Sequence, residues 1–255
     1  MDSLAITNQK GGVGKTALTV NLGGALAEDG RRVLLVDLDP QGHLTEALGL
    51  GETTEPATLA AAMLGTWTGD ARELVTSYRP LLDVIPTNVD AFLLEQRLYQ
   101  ERGREHRLAR VLEQLADAYD VALIDCPPSL GSLTDNALVA ARRALVPTQS
   151  EDTALRALRL LLSQVESVEI GLQLQVELVG MVVNGYDRRR GQVVTSTMAA
   201  LEQLPLPVLG VIGDRAAVRE VWRYRAPVTE HASESDAADA YRALVKAIPW
   251  NGGER

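Results

Sequence analysis

The sequence feature that most constrains the fold is a glycine-rich turn that follows a predicted strand and precedes a predicted helix. The strand is a short apolar run at residues 4–7, and residues 16–28 have a helical pattern. Between them lies Lys10-Gly11-Gly12-Val13-Gly14-Lys15-Thr16. Glycines let the backbone turn its N–H groups toward phosphate oxygens, and the helix N-terminus faces the same anion. The arrangement therefore predicts a phosphate-binding loop.

Lysine is scarce in this chain, and its distribution points to the same loop. The sequence has 25 basic residues, of which only three are lysines, and both Lys10 and Lys15 lie in the loop. In the usual phosphate-loop pattern Lys15 would contact the β and γ phosphates and the Thr16 hydroxyl would coordinate Mg²⁺, although Gln9 stands where that pattern has glycine. Lys10 points away from its own nucleotide, so we expect it to reach one held by a facing subunit. A glycine-rich turn without a ligand is the competing interpretation.

Short apolar runs alternate with helical patterns along the rest of the chain, which indicates parallel strands joined by crossover helices. The predicted strands are residues 4–7, 33–36, 82–85, 121–124, 144–147, 176–183 and 208–212. The predicted helices are residues 16–28, 89–98, 105–118, 132–141, 153–168, 192–204 and 233–248. The sequence therefore predicts one α/β domain over residues 1–255, with a single doubly wound, mostly parallel sheet and helices on both faces.

Acidic residues follow two of the predicted strands. Asp37 and Asp39 come at the end of one strand, and Asp125 follows another. Because ligands of open parallel sheets bind beyond the carboxyl ends of the strands, these carboxylates are expected near the loop. Asp125 fits an acid that holds Mg²⁺ through water, while Asp37 and Asp39 fit a role in the metal shell or in orienting water. A helix N-cap or a turn is the alternative role for each one alone.

These motifs resemble those of the ParA/MinD superfamily of P-loop ATPases. Residues 10–16 are similar to its deviant Walker A motif, residues 37–42 to its switch I and residues 125–131 to its switch II. The similarity continues through residues 85–88, 146–149 and 154–158, covers most of the chain, and is greatest to the short, Soj-like ParA proteins. It implies a P-loop NTPase fold, ATP and Mg²⁺ as cofactors, and an ATP-sandwich homodimer joined by the first lysine.

The resemblance also implies roles for individual residues. Lys10, Lys15 and Asp39 would be catalytic, with Asp39 as the hydrolysis residue, and Thr16, Asp37 and Asp125 would hold the metal. The nucleotide would be bound by Lys10, Gly11, Gly12, Val13, Gly14, Lys15, Thr16 and Ala17, with Asn184 and Asp214 near the base. For Asn184, a turn-forming Asn-Gly pair is an equally weighted alternative.

Arginines are concentrated in the last third of the chain. Arg215, Arg219 and Arg223 recur every four residues and would share one face of a helix, and Arg189 lies in a second cluster. Such a stripe can follow a phosphate backbone, although a solvated charged face is the usual interpretation. The resemblance favours non-specific DNA binding at these arginines. The net charge of -9 opposes general attraction to DNA, so the predicted binding is weak and salt-sensitive.

The resemblance implies an ATPase for DNA partition that a ParB-type partner stimulates. A MinD-like, membrane-cycling positioning ATPase is the alternative, and it would need a basic amphipathic C-terminal helix. A non-hydrolysing, nucleotide-dependent scaffold is a third possibility. The sequence has one cysteine, Cys126, which is too few for a disulfide or a cysteine-rich metal site. With no secretory signal and no apolar span, we expect a cytoplasmic, nucleoid-associated protein without a membrane partner.

Overall fold

The computed structural model describes residues 1–51, 56–88, 90–151, 153–187, 189, 191–214 and 216–251, except for the side chain of Arg219. The strands are β1 (Asp2–Ile6), β2 (Val33–Asp37), β3 (Thr76–Arg79), β4 (Leu82–Ile85), β5 (Val121–Asp125), β6 (Arg143–Thr148), β7 (Glu177–Tyr186) and β8 (Val208–Gly213). They form one sheet in the order β3-β4-β2-β5-β1-β6-β7-β8. Every neighbouring pair is parallel except β3 with β4.

Helices cover both faces of this sheet. They are α1 (Lys15–Glu28), α2 (His43–Ala47), α3 (Leu59–Leu64), α4 (Ala91–Leu98), α5 (Arg107–Glu113), α6 (Ser132–Ala141), α7 (Ala154–Leu172), α8 (Gln192–Glu202), α9 (Ala216–Arg219), α10 (Val221–Tyr224), α11 (Val228–His231) and α12 (Asp236–Ala247). Among the described residues, no helix is both long and apolar enough to cross a lipid bilayer.

Two apolar cores result from the alternation of side chains along the strands. Leu4 and Leu35 point to the face that carries α1 and α12, and they join a buried cluster with Leu22 and Tyr241. Ala5 and Leu34, their chain neighbours, join the second cluster on the opposite face. Every residue of β2 and β5 is buried. Burial on both faces explains why these strands are continuous apolar runs in the sequence.

The predicted fold class is confirmed: the sheet is mostly parallel, its seven predicted strands are present, and helices lie on both sides. The sequence analysis missed β3, because its alternating exposure leaves no apolar run to recognise. It also missed the short helices α2 and α3. That residues 1–255 form a single domain stays a prediction.

Candidate nucleotide-binding site

The glycine-rich loop connects the central strand β1 to α1, as the sequence predicts. Gly12 and Gly14 have φ angles of 75° and 86°, a backbone region that residues with a Cβ rarely adopt. Among the described residues, no side chain caps the N-terminus of α1, which begins at Lys15. The first N–H groups of the helix therefore face the cavity, where an anion can accept their hydrogen bonds.

Lys15 is held inside the loop that it belongs to. Only 7% of its surface is exposed, and its Nζ donates to the carbonyl oxygens of Asn8 and Lys10 at 3.1 Å and 3.3 Å. Burial lowers the pKa of Lys15, and the nearby carboxylates of Asp125 and Asp39 oppose that shift. The ammonium is therefore positioned across the loop with little water around it, a setting in which a phosphate anion stabilises its charge.

The predicted metal-binding residues converge at the base of the loop. Thr16 Oγ1 donates to Asp125 Oδ2 at 2.6 Å, and Asp37 lies directly across from Asp125 in the register of β2 and β5. Asp37 Oδ2 accepts hydrogen bonds from both the N–H and the hydroxyl of Thr45, at 2.8 Å and 2.6 Å. Thr45 was not predicted from the sequence, and it anchors α2 to the end of β2.

These residues fit a divalent cation bound together with a nucleotide. Asp37 Oδ1 is buried and has no hydrogen-bond partner among the described residues. Burial raises the pKa of Asp37 to about 6 and, together with repulsion from Asp37, raises the pKa of Asp125 well above its usual range. Mg²⁺ typically binds one or two carboxylates and uses substrate phosphates for the rest of its shell. The Thr16 hydroxyl and the buried carboxylates of Asp37 and Asp125 supply such protein ligands, and their negative charge favours a cation.

Asp39 lies in the turn that follows β2 and is one of the residues lining the cavity. Its Oδ1 accepts a hydrogen bond of 3.0 Å from the N–H of Gln41, and 6% of its surface is exposed. The carboxylate therefore has a structural role in the turn and also faces the space where a phosphate would lie.

Lys10 does not line this cavity. Its ammonium pairs instead with the carboxylate of Glu151, which lies between β6 and α7 of the same protomer. The two side chains are 24% and 53% exposed. The acidic residue that pairs with Lys10 was not predicted from the sequence, and that Lys10 reaches the nucleotide of a facing subunit stays a prediction.

A cavity of about 560 Å³ lies above the loop, within the size range of small-molecule sites. Of the predicted nucleotide-binding residues, Gly11, Gly12, Val13, Gly14, Lys15, Thr16, Ala17, Asn184 and Asp214 line it, together with Asp39. The phosphate loop and the ends of β7 and β8 line it together. The sequence analysis missed several further lining residues, among them Gln41, His43, Gln149 and Trp222.

Asn184 contacts the loop as well as the cavity. Its Nδ2 donates to the carbonyl oxygen of Val13 at 2.9 Å and approaches that of Gly14 at 3.5 Å. A Cβ on Gly14 would lie 3.0 Å from the same nitrogen. The side-chain N–H groups of Asn184 therefore brace the loop, which is a role that the sequence analysis did not anticipate. That Asn184 contacts adenine stays a prediction.

The arginine cluster does not form the single helix that its four-residue spacing suggested. The segment divides into α9 and α10, with Glu220 between them at φ -87° and ψ 2°. Arg223 is exposed, and its guanidinium lies 5.8 Å from the centre of the Tyr224 ring. Val221, directly after the break, is fully buried in the cluster that includes residues of α1.

The other predicted DNA contacts are only partly described. Arg189 has a side chain that is 88% exposed and pairs with Asp187 at 2.9 Å. Arg215 and the side chain of Arg219 lie outside the described residues. The predicted DNA-binding role of all these arginines stays a prediction.

Comparisons with known proteins agree with this site. A family model described as an AAA domain matches residues 1–178. The chromosome partitioning protein ParA of Caulobacter vibrioides is 38% identical, covering 96% of this chain and 92% of its own. The sporulation initiation inhibitor protein Soj of Bacillus subtilis is 36% identical, covering 98% of each chain.

A solved structure has the same fold. It is the cobyrinic acid a,c-diamide synthase of Mycobacterium smegmatis with a bound ATP analogue and magnesium, with a TM-score of 0.82 and 34% identity. The match covers 96% of this chain and 93% of that one. One conclusion is supported by the relatives of nearly full length, by the glycine loop with its two lysines, and by the carboxylates at the ends of β2 and β5. The chain belongs to the ParA/MinD superfamily of P-loop ATPases.

Proposed function

We propose that this protein is an ATP-dependent DNA partition ATPase that uses ATP and Mg²⁺. The observation that carries the proposal is a single cavity in which the phosphate loop, Lys15, Thr16 and Asp39 face one another. Phosphoryl transfer needs little more than positioning and neutralisation of phosphate charge, and these residues supply both. The relatives named ParA and Soj support partition as the process that the ATPase serves.

Each residue of the site has a distinct part in hydrolysis. Lys15 and the N-terminus of α1 bind the phosphates, and Asp39 orients the water that attacks the γ phosphate. Thr16, Asp125 and Asp37 hold Mg²⁺, which neutralises charge on the phosphates when it is bound. The Thr16–Asp125 hydrogen bond of 2.6 Å keeps the hydroxyl in place for this purpose.

ATP binding is proposed to join two protomers face to face. Lys10 lies outside the cavity of its own protomer, so its ammonium is available to the phosphates of the facing one once it leaves Glu151.

The resulting dimer would bind DNA without sequence preference. Arg189 and Arg223 are exposed and can contact phosphates, which makes the binding salt-dependent and associates the protein with the nucleoid. A ParB-type adaptor would then stimulate hydrolysis and release the DNA.

The C-terminal helix supports partition over the membrane-cycling alternative. Ala238, Tyr241, Leu244 and Val245 of α12 are buried against α1 and β8. A helix that binds a bilayer must present its apolar face to lipid. In the described part of α12 that face packs against the core, which supports the partition function over a MinD-like one.

Phosphate release from ATP, with and without duplex DNA, tests the proposed activity. Asp39→Asn keeps a side-chain oxygen that can accept the hydrogen bond from the Gln41 N–H, so we expect this variant to fold and to bind ATP. We expect it to hydrolyse ATP at least about 100-fold more slowly, since a positioned base contributes at least that factor. Lys15→Met should lose ATP binding. Lys246→Met, which changes the one lysine outside the loop, is the matched control and should behave as wild type. Wild-type protein that binds ATP but never releases phosphate would support the scaffold interpretation instead.

A further inference from the structure

Trp222 is a large aromatic residue that the proposed reaction leaves without a role. It lies on α10, about a third of its surface is exposed (37%), and it lines the same cavity as the phosphate loop. Val218 and Ile212 line the same cavity, so a ligand bound there meets three large apolar side chains. A partly exposed aromatic ring in a binding cavity offers such a ligand a large apolar surface.

Contacts on either side of Trp222 connect its segment to α1. Val221 is fully buried beside it. His231 ties the flanking segments together, since its ring nitrogens lie 3.1 Å from the Ala217 oxygen and 3.0 Å from the Pro227 oxygen. The N–H of Val228 donates to Asn21 Oδ1 of α1 at 2.7 Å. Because α1 also begins at the phosphate loop, the indole and the phosphate site share one rigid support.

Asn184, a polar residue that lines the cavity, does not supply base recognition by donating hydrogen bonds. The amide nitrogen of Asn184 is directed at the carbonyl oxygens of Val13 and Gly14, and Asn184 Oδ1 is buried. Where no side chain donates a hydrogen bond to a nucleobase, the base is commonly bound by stacking on an aromatic ring. Stacking accepts any of the bases.

We propose that Trp222 binds the nucleotide base by stacking its indole on the base, while Asn184 acts on the phosphates by bracing the loop. This inference rests on the proposed nucleotide-dependent function and adds to it the residue that supplies base affinity. The two residues then affect the binding of different parts of the nucleotide. Trp222 affects only ligands that carry a base, whereas Asn184 affects every ligand that carries phosphates.

Calorimetric titration with Mg²⁺-ADP, Mg²⁺-GDP and Mg²⁺-pyrophosphate tests this division. Trp222→Leu keeps an apolar side chain on α10 but removes the ring, and we expect ADP and GDP each to bind about tenfold more weakly, as for loss of one stacked base. Pyrophosphate binding should not change. Trp222→Phe should restore most of the loss. Asn184→Ala should weaken ADP and pyrophosphate by the same factor.

Trp67→Leu is the matched control, because Trp67 packs against the core of the opposite sheet face; it should leave all three affinities unchanged. Equal ADP affinity in wild type and Trp222→Leu would overturn the inference while leaving the proposed function intact. An equal loss for ADP and pyrophosphate in Trp222→Leu would also overturn it, since the role would then be structural. If wild-type protein binds neither ADP nor ATP, the proposed function itself fails.

Discussion

Asp37 is a carboxyl group that the fold removes from water at the end of β2. Its burial raises the pKa to about 6, and the two hydrogen bonds from Thr45 only partly oppose the shift. The folded protein therefore holds this proton at pH values where the unfolded chain, with an ordinary pKa of 3.8, has released it. Stability from this group is present at low pH and is lost as the pH rises toward 6.

We predict that Asp37→Asn is more stable than wild type at pH 7.5 when Mg²⁺ and nucleotide are absent. The shift of about two pKa units corresponds to about 3 kcal/mol of unfolding free energy at most. The advantage should shrink toward zero near pH 4, where the wild-type carboxyl is protonated in the folded state. Urea unfolding with EDTA from pH 4 to pH 7.5 measures it. A difference that does not vary with pH would contradict the assignment.

Helix α1 depends on close packing against the segment that carries α11. A Cβ added at Gly24 would lie 2.3 Å from Pro227 Cβ and 2.6 Å from Pro227 Cγ. A proline ring cannot rotate away, so the helix or the segment has to shift. The same segment supports Trp222, and the packing at Gly24 therefore links the stability of α1 to the geometry of the cavity.

We predict that Gly24→Ala destabilises the protein by about 1–3 kcal/mol, the usual cost of overpacking, despite the better helix propensity of alanine. Gly171→Ala is the matched control: Gly171 also lies in a helix, α7, but a Cβ there would have nothing within 4 Å. That control should be neutral or stabilised by up to about 1 kcal/mol. Urea denaturation compares the two, and equal effects would refute the packing argument.

Elements were predictable from the sequence where their own residues carry the signal. The buried strands are apolar runs, and the loop before α1 has glycines wherever a positive φ is needed. By contrast, β3 has no apolar run because it is an edge strand with alternating exposure. The division between α9 and α10, beside the buried Val221, has no signal in the four-residue spacing of the arginines. Trp222 and Thr45 reach the site through tertiary packing, which spacing along the chain does not reveal.

The whole molecule keeps its two loop lysines in different environments. Lys15 faces its own cavity, whereas Lys10 pairs with Glu151 on the surface. If Lys10 acts on the facing protomer, its pairing with Glu151 competes with dimer formation. An exposed ion pair contributes roughly 0.2–1 kcal/mol, so the competition is modest.

We predict that Glu151→Gln strengthens ATP-dependent dimerisation by up to about thirtyfold, because a competing ion pair is removed from each of the two protomers. Sedimentation velocity with Asp39→Asn as the background, in ATP, gives the dimer dissociation constant. Glu230→Gln is the matched control, since Glu230 pairs with Arg79 on the surface with both side chains 41% exposed. Weaker dimerisation in Glu151→Gln than in that control would show that Glu151 assists assembly instead.

We expect ATP, and not ADP, to convert this acidic chain into a DNA-binding form. Fluorescence anisotropy of a labelled duplex at low salt, titrated with Asp39→Asn in ATP or in ADP, measures it directly. We predict at least about tenfold tighter binding in ATP, and we expect added salt and Arg223→Ala each to weaken that binding. Equal DNA affinity with ATP and with ADP would contradict it.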